Sequence, residues 1–405
     1  MNSASAVNST WVLIATALVI LMTPALGLFY GGLVRKKNVL STLMYSFFTV
    51  ALISVQWSMI GYSLSFGATR GGWIGGLEHI GLAGLSLDAA NDGEIPSLLF
   101  MAFQMSFAII TPALISGSFV ERKRFGAFVV FTLLWATFVY DPVAHWVWGK
   151  GGWLANLGAL DFAGGTVVHI TSGISALVCA LFIGRRKGFG SERMEPHNAT
   201  MTILGAALLW FGWFGFNAGS ALGVSRVAIN AMITTHLAAA AAAMAWVILG
   251  WIFHKRLSVL GAAIGAVAGL VGVTPAAGYV EPLSAIGIGL ITSSVCFFFT
   301  EYVVRGRVDD SLDVFGVHGV GGIVGALLTG VFASPDLTPG GGLLYGNGHQ
   351  LLIQCKAALA VACFAGAATF VILLAMRLVL PIRVTARDEE AGLDLSQHGE
   401  IAYAV

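Results

Sequence analysis

Apolar blocks of about 20 residues recur along almost the whole chain, and no other feature restricts the fold as strongly. Such a block, as a helix, crosses a hydrocarbon core about 30 Å thick. Because lipid offers the backbone no hydrogen bonds, only helices and closed barrels span it. The alternating segments of about ten residues that a barrel needs are missing from the sequence. The sequence therefore predicts an all-α membrane protein.

Eleven such blocks can be counted, and each predicts one transmembrane helix. Their bounds are 10–33, 39–66, 95–119, 125–140, 162–184, 199–220, 228–253, 258–276, 282–304, 317–333 and 351–380. Residues 1–380 are thus predicted to form one transmembrane domain, followed by a polar tail at 381–405. The composition agrees, because 57% of the 405 residues are hydrophobic and 10% are charged, whereas soluble proteins have about 25% charged residues.

Basic residues lie mostly on one side of the predicted helices. Only four of the 21 Lys and Arg residues fall on the opposite side, namely Arg70, Lys150, Arg226 and Lys356. By the positive-inside rule the side with the other 17 is cytoplasmic, which predicts an external N-terminus and a cytoplasmic C-terminus. Residues 1–9 contain no Lys or Arg, so the first block is predicted to be a retained helix and not a signal peptide. A net charge of +1 gives no electrostatic case for binding nucleic acid.

Two segments share one pattern, an aspartate eight residues before a histidine. Asp161 precedes His169 in DFAGGTVVHITSG, and Asp310 precedes His318 in DSLDVFGVHGVGG. An ionisable side chain is costly in a membrane helix and commonly functional there. The pattern predicts a repeat of spans 1–5 (about 10–184) in spans 6–10 (about 199–333), with span 11 left over. Five spans per half make this 5+5 repeat inverted.

The depth of the two histidines follows from helix geometry. If each aspartate marks a membrane boundary, each histidine lies eight residues deeper, or about 12 Å at 1.5 Å per residue. In a core about 30 Å thick, about 6 Å of depth then separates them. His169 and His318 are therefore predicted to meet near mid-membrane, where the two repeats join.

Aromatic motifs surround these histidines. The segment WFGWFGFNAGSA of span 6 contains Trp213, Phe216 and Ser220, and DPVAHWVWGKGGW precedes span 5. Together with FAGGTVVHI, DVFGVHGVGG and the tail segment EEAGLDLSQHGE, these motifs resemble the Amt/Mep/Rh family of ammonium transporters, in its bacterial Amt branch. The resemblance covers nearly the whole chain. It implies eleven spans, an inner-membrane homotrimer and one pore per subunit.

The resemblance also implies a role for each candidate residue. The vestibule that recruits ammonium matches Phe103, Phe107, Trp148 and Ser220. The phenyl rings that obstruct the pore match Phe107 and Phe216, and the pore imidazoles match His169 and His318. Structural support is expected from Asp161, Asp310, Asp313 and Trp213. The tail motif, on whose face a PII-type signalling protein (GlnK) plugs the pore in the family, matches Gly392, Leu393, Asp394 and Gly399.

Plainer roles remain open for several of these residues. Phe103 could belong to the core, Trp148 to an interfacial aromatic belt, Ser220 to helix contacts and Asp161 to a helix cap. The tail could be a disordered acidic segment. Asp309 is expected in a solvated loop.

Energetics favours transport with loss of a proton. A desolvated cation gains about 2 kcal/mol or more over an aromatic face, whereas burying bare ammonium costs tens of kcal/mol. Either water accompanies the ion or its proton leaves, and neutral imidazoles accept or relay such a proton. The predicted function is transport of ammonium, with methylammonium as a further candidate, as ammonia with or without a relayed proton.

The alternative function is an ammonium sensor or transceptor that signals through the tail. An intramembrane enzyme is not favoured, because the sequence has neither HExxH spacing nor a third ligand near the histidines. No cofactor and no metal are therefore predicted.

Overall fold

The computed structural model describes residues 3–89, 91 and 93–403 and is almost entirely helical. Ten helices in this described part are long and apolar enough to cross a membrane. They are α1 (Ser3–Leu33), α2 (Lys36–Phe66), α3 (Ser97–Ser116), α4 (Phe125–Leu157), α5 (Gly165–Ile183), α6 (Ala199–Gly219), α7 (Arg226–His254), α9 (Pro282–Val304), α10 (Phe315–Phe332) and α11 (Gly348–Val379). Between α7 and α9 lies a shorter apolar helix of 15 residues, α8 (Val259–Val273). The all-helical membrane architecture is thus confirmed.

The fourth span is longer than the sequence predicted. The block at 125–140 appeared to end before a charged residue, but the helix continues through Asp141–Trp148. Asp141 is buried, and its Oδ2 accepts a hydrogen bond of 2.9 Å from Nε2 of Gln56 on α2. A carboxyl that has a hydrogen-bond partner inside the protein does not need to mark the end of a helix.

Glycines allow the two halves of the chain to pack closely. A Cβ on Gly205 of α6 would lie 2.8 Å from the carbonyl oxygen of Ala25 on α1. A Cβ on Gly215 would lie 2.8 Å from the carbonyl oxygen of Ala15. Small residues let helix backbones approach in lipid, where apolar burial provides little attraction between helices. The first helix of each half therefore packs along the other.

A short hairpin and a folded tail complete the chain. Strands β1 (Thr69–Arg70) and β2 (Ile74–Gly75) pair antiparallel in the connection between α2 and α3. After α11 the tail forms α12 (Ala386–Ala391) and a wide turn at Asp394–His398. The disordered alternative for this described part of the tail is therefore wrong.

Buried ion pairs join the connections on the basic side. Glu121 pairs with Arg35 at 3.0 Å and with Arg186 at 2.8 Å, and Arg186 also pairs with Asp309 at 2.7 Å. Burial alone would raise the pKa of Glu121, but the two guanidinium groups outweigh it and hold that pKa at about 2. The expectation for Asp309 was wrong: the residue is 2% exposed, because it neutralises Arg186.

Candidate functional site

Helices α5 and α10 begin with the same kind of cap. Oδ1 of Asp161 accepts from the backbone N–H of Gly165 at 2.6 Å, and its Oδ2 accepts from that of Thr166 at 2.7 Å. Oδ2 of Asp310 accepts from the backbone N–H of Phe315 at 2.7 Å. A carboxylate at a helix start satisfies free N–H groups and opposes the helix dipole. The two aspartates thus fix where each helix starts.

Each histidine follows its aspartate on a wide first turn. His169 lies in the π-helical segment Gly165–Ile170 and His318 in the π-helical segment Phe315–Gly319. Both side chains are buried, at 1% and 5% exposure. Wide turns of this kind are rare and frequently occur at functional sites.

The two helices cross at glycines four residues beyond the histidines. A Cβ on Gly173 would lie 2.8 Å from the carbonyl carbon of His318 and nearer still to Gly319. A Cβ on Gly322 would lie 3.0 Å from Cβ of His169. Each half therefore supplies a glycine that makes room for the other half's histidine, a role that sequence analysis did not assign.

The imidazoles lie side by side at this crossing. Nδ1 of His169 is 3.2 Å from Nδ1 of His318, and the ring centroids are 5.2 Å apart with the planes at 30°. When one Nδ1 donates and the other accepts, the two rings must be opposite tautomers. One Nε2 then carries a proton and the other a lone pair. Nε2 of His169 has no hydrogen-bond partner in the described part of the chain.

Aromatic rings cover the histidine pair on one side. The rings of Phe107 and Phe216 are 4.3 Å apart at 37°, and Phe216 lies 6.1 Å from His169 at 20°. The ring of Trp213 is 5.6 Å from His169 and is fixed by a 2.9 Å bond from Nε1 to Oγ1 of Thr274. The cavity between these rings and the histidines measures about 10 Å³. It therefore has room for no more than about one water-sized molecule.

Beyond the phenyl rings lies an outer cavity of about 290 Å³, which Phe107, Trp148 and Ser220 line. The Trp148 ring stands edge-on to Phe107 at 5.8 Å, and its Nε1 donates to the carbonyl oxygen of Asp161 at 3.0 Å. Oγ of Ser220 donates to the carbonyl oxygen of Phe216 at 2.8 Å, which leaves its lone pairs free to accept.

Two neighbours on α3 differ from expectation. Phe103 is fully buried and packs 5.1 Å from Phe107, and it is not among the residues that line the outer cavity. Gln104 lines the cavity instead, and its Oε1 has no partner among the described residues. Phe100, Gln104 and Phe107 all line the outer cavity. Their i, i+4, i+7 spacing places them on one face of α3, and this spacing could have identified Gln104 from the sequence.

On the far side of the histidines an inner cavity of about 410 Å³ extends from His318 towards the basic face. Asp313 lines it, together with Tyr30 and Thr300. Burial and the neighbouring Asp310 raise the pKa of Asp313 to about 7. The two aspartates have different positions, because Asp310 caps α10 and Asp313 lines the inner cavity.

The predicted tail residues lie against the start of α2. The backbone N–H of Leu393 donates to Oδ1 of Asn38 at 2.8 Å, and Oδ1 of Asp394 accepts from the N–H of Ser41 at 2.8 Å. Gly392 has φ +96°, and a Cβ there would lie 2.6 Å from the Lys37 carbonyl oxygen. The fourth residue, Gly399, has φ +70° and ends the wide turn of the tail.

A sequence model of the Ammonium Transporter Family matches residues 10–403. This chain belongs to that family. The ammonium transporter of Bacillus subtilis is 50% identical to it over 400 residues, which cover 98% of both chains. Ammonium transporter Amt1 of Archaeoglobus fulgidus is 46% identical and covers 98% of this chain and 99% of its own. The predicted resemblance and the predicted function of ammonium transport are both confirmed.

Solved structures share the fold of this transporter. The crystal structure of Candida albicans Mep2 matches with a TM-score of 0.90 at 37% identity and covers 98% of this chain and 90% of its own. A structure described as "Sensor Amt Protein" also has a TM-score of 0.90, at 31% identity, and covers 97% of this chain and 98% of its own.

Proposed function

We propose that this transporter recruits ammonium in the outer cavity, removes its proton and passes ammonia along the pair of His169 and His318. One observation carries the proposal: the two Nδ1 atoms lie 3.2 Å apart, between the outer cavity and the inner cavity. A pair of facing imidazoles in so narrow a passage binds a small solute through one donor and one acceptor.

Recruitment would take place at Trp148, Phe107 and Ser220. A cation gains about 0.5–1 kcal/mol over an exposed aromatic face and about 2 kcal/mol or more when it is desolvated. The oxygen of Ser220 adds an acceptor for one N–H. The bond from Trp148 to the Asp161 carbonyl supports a fixed ring position, so little conformational freedom is lost on binding.

Deprotonation follows from the size of the passage. A cavity of about 10 Å³ behind the Phe107–Phe216 pair leaves no room for a hydration shell. Burying a bare ammonium ion there would cost tens of kcal/mol, which the aromatic rings do not repay. Neutral ammonia avoids this cost. In the tautomer in which Nδ1 of His169 donates to His318, the unpartnered Nε2 of His169 supplies an acceptor for the proton. The proton then either returns outside or crosses separately by way of His318.

The proposed architecture has eleven spans, with α8 as the eighth, in an inverted 5+5 repeat followed by α11. The shared order of aspartate, histidine and glycine in α5 and α10 supports the repeat, since Gly173 and Gly322 each follow a histidine by four residues. Residues 1–380 would form the transporter domain and residues 381–405 the tail. The family resemblance supports a homotrimer with one pore per subunit.

The proposed setting is the cell inner membrane, with the N-terminus outside and the C-terminus cytoplasmic. The charge distribution supports it, because 17 of the 21 Lys and Arg residues lie on one side of the helices. On this cytoplasmic face the tail, which Leu393 and Asp394 hold against the start of α2, would take part in binding a PII-type signalling protein (GlnK).

The second candidate function is an ammonium sensor or transceptor. Two observations favour it as the alternative: the tail is bonded to the start of α2, and one similar structure is described as a sensor. Deleting residues 385–405 separates the two candidates. Uptake that persists while a cellular nitrogen response is lost would favour the sensor.

The transport mechanism is tested in proteoliposomes that receive an ammonium gradient, with uptake and current recorded together. His169→Ala and His318→Ala are the test variants. His236→Ala is the matched control, because that histidine is exposed on α7. We expect both pore variants to alter uptake or current and the control to match the wild type. Unchanged uptake and current in both pore variants would refute the relay, and uptake without any current in the wild type would remove its electrogenic form.

A further inference from the structure

Two further wide turns lie inside the membrane helices, away from the histidines. The π-helical segment Trp57–Gly61 of α2 begins directly after Gln56, and the π-helical segment Ala136–Tyr140 of α4 ends directly before Asp141. Wide turns frequently occur at functional sites, and an ionisable residue in a membrane helix is commonly functional. The outer, central and inner cavities of the transport site have other linings. Gln56 and Asp141 are therefore candidates for a second site.

The pair lies deep in the bundle, where no water is available to a charge. Asp141 comes 16 residues after Phe125, the start of α4, or about 24 Å into a core about 30 Å thick. Its side chain is fully buried, and Gln56 is 7% exposed. Val55 and Phe138, close to the pair in sequence, are exposed apolar residues. An unpaired carboxylate in such surroundings is strongly disfavoured.

Hydrogen bonds fix the orientation of the Gln56 amide. Its Nε2 donates to Oδ2 of Asp141 at 2.9 Å and to Oγ1 of Thr137 at 3.1 Å. The Thr137 hydroxyl itself donates to the carbonyl oxygen of Leu133 at 2.9 Å, so it can only accept from Gln56. The amide nitrogen, and not the amide oxygen, must therefore face Thr137 and Asp141.

Two acceptors of the pair have no donor. Oδ1 of Asp141 and Oε1 of Gln56 are buried and have no hydrogen-bond partner in the described part of the chain. The described residues also give Asp141 no ion pair. The surrounding helices offer no cation, because residues 38–66, 97–116 and 125–149 contain no Lys or Arg. Buried acceptors without a donor are costly, and one missing donor would serve both.

The titratable groups nearby do not supply that donor. On α4, Tyr140 precedes the carboxyl, and His145 follows one turn later with both ring nitrogens bonded to the end of α2 and to β1. Tyr62 on α2 cannot carry a positive charge, and α3 has no titratable residue. On α11, which packs against the Ala136–Tyr140 turn, Lys356 and Cys363 are exposed.

We propose that Asp141 is a proton-binding site outside the transport pore, and that its neutral carboxyl forms a reciprocal pair with the Gln56 amide. A proton on Oδ1 makes the carboxyl a donor to Oε1, while Nε2 continues to donate to Oδ2. One proton thus removes the buried charge and satisfies both free acceptors. Gly61 leaves room for the amide, since a Cβ there would lie 2.9 Å from Oε1. The proposal goes beyond ammonium transport, and its test requires no transport.

The bound proton would hold α2 against α4 behind the outer cavity. Trp57, which follows Gln56, donates from Nε1 to the carbonyl oxygen of Met101 on α3 at 3.2 Å. Its ring also stands edge-on to Tyr140 at 6.1 Å. Met101 adjoins Phe100, which lines the outer cavity. The acid–amide pair would therefore support the part of α3 that forms this cavity.

The test is infrared difference spectroscopy of the purified, full-length protein in liposomes, at neutral pH in a sodium-free buffer. A protonated carboxyl has a C=O stretching band that a carboxylate lacks, and the difference between wild type and Asp141→Asn isolates the band of this residue. Gln56→Leu removes the amide. The matched control is Asp336→Asn, which removes an exposed carboxylate on the outer side. Thermal unfolding of Asp141→Asn and Asp141→Leu is measured in parallel.

We expect a carboxylic acid band in the wild type that is lost in Asp141→Asn and retained in Asp336→Asn. In Gln56→Leu the band should remain and move to higher frequency, because the C=O group has lost its hydrogen bond. Asp141→Asn should fold and unfold at the wild-type temperature, since an asparagine amide supplies the same donor and acceptor as a neutral acid. Asp141→Leu, which supplies neither, should unfold at a lower temperature.

Four results would each overturn the proposal. Identical acid bands in wild type and Asp141→Asn would mean that the carboxyl is ionised. An unshifted band in Gln56→Leu would exclude the reciprocal pair. Loss of folding in Asp141→Asn, or a loss of stability as large as in Asp141→Leu, would mean that the negative charge is required. Disappearance of the band when sodium or ammonium chloride is added at constant pH would identify a cation, and not a proton, as the ligand.

Discussion

Gly173→Ala tests whether the helix crossing holds the imidazoles together. The new methyl carbon would lie 2.8 Å from the carbonyl carbon of His318, and ordinary contact begins at 3.4 Å. The backbones must therefore separate by at least 0.6 Å, and by more because Gly319 lies closer still. If the helices separate along the line between the imidazoles, the two Nδ1 atoms, now 3.2 Å apart, move to about 3.8 Å or more, beyond hydrogen-bond range.

The functional loss should exceed the loss of stability. Overpacking of one methyl group typically costs about 1–3 kcal/mol and occasionally more, so the folding of the variant is measured beside its transport. A misplacement approaching 1 Å at a reacting pair costs up to about 100-fold in rate. We therefore expect Gly173→Ala to fold and to transport about 10- to 100-fold more slowly.

The measurement is ammonium uptake and current in proteoliposomes, with thermal unfolding in detergent as the folding check. Gly322→Ala should show a milder defect, because its Cβ would stand 3.0 Å from its nearest neighbours. Gly287→Ala is the control, since its methyl group would meet only a flexible ring atom at 3.9 Å. Wild-type transport by folded Gly173→Ala would refute the reasoning, as would an equal loss in Gly287→Ala.

Three further predictions concern recruitment, the ion pairs and the tail. Trp148→Leu should raise the ammonium concentration for half-maximal uptake about tenfold, because it removes about 1–2 kcal/mol of cation–π energy. The maximal uptake rate should stay nearly unchanged. An unchanged half-maximal concentration would exclude recruitment by this ring. The pKa of Glu121 falls from 4.5 to about 2 on folding, so its stabilising effect is complete above about pH 4.5 and is lost as the pH falls towards 2. At 1.36 kcal/mol per pKa unit, this shift stabilises the folded protein by about 3 kcal/mol. The unfolding temperature of the wild type should therefore fall more steeply with acid than that of Glu121→Gln. Equal falls would contradict the stabilising role of the Glu121 ion pairs. Asp394→Ala removes the acceptor for the N–H of Ser41. Amide hydrogen exchange in residues 386–398 should therefore become faster, while exchange in the membrane helices stays the same. Unaltered exchange in the tail would mean that this bond does not hold the tail in place.

Local sequence failed as a guide where distant residues pair with a buried carboxyl group. The block at 125–140 stopped before Asp141, but Oδ2 of Asp141 accepts a hydrogen bond from Gln56, 85 residues away, inside the bundle. Asp309 was expected in solvent, and Arg186, which follows α5, neutralises it in a buried pair. Pairing between residues far apart in the chain carries no periodic signal, so the sequence predicted neither of these pairs.

The vestibule shows the same limit at the level of single side chains. Phe103 and Gln104 are adjacent on α3, and only Gln104 reaches the outer cavity. Which of the two turns towards it depends on the rotation of the helix against its neighbours. The motif resemblance assigned Phe103 to the vestibule without information on that rotation.

The sequence by itself determined that this chain is a helical membrane protein of the ammonium transporter family. The length of an apolar block and the positions of charged residues can be read from the sequence. A helix satisfies its own backbone hydrogen bonds wherever it lies, so its formation does not depend on distant contacts. The sequence predicted that two histidines 149 residues apart meet, and only the tertiary structure decided that their Nδ1 atoms lie 3.2 Å apart. That distance depends on Gly173 and Gly322. Because neither residue has a side chain, backbone from the other half of the chain can approach each of them closely.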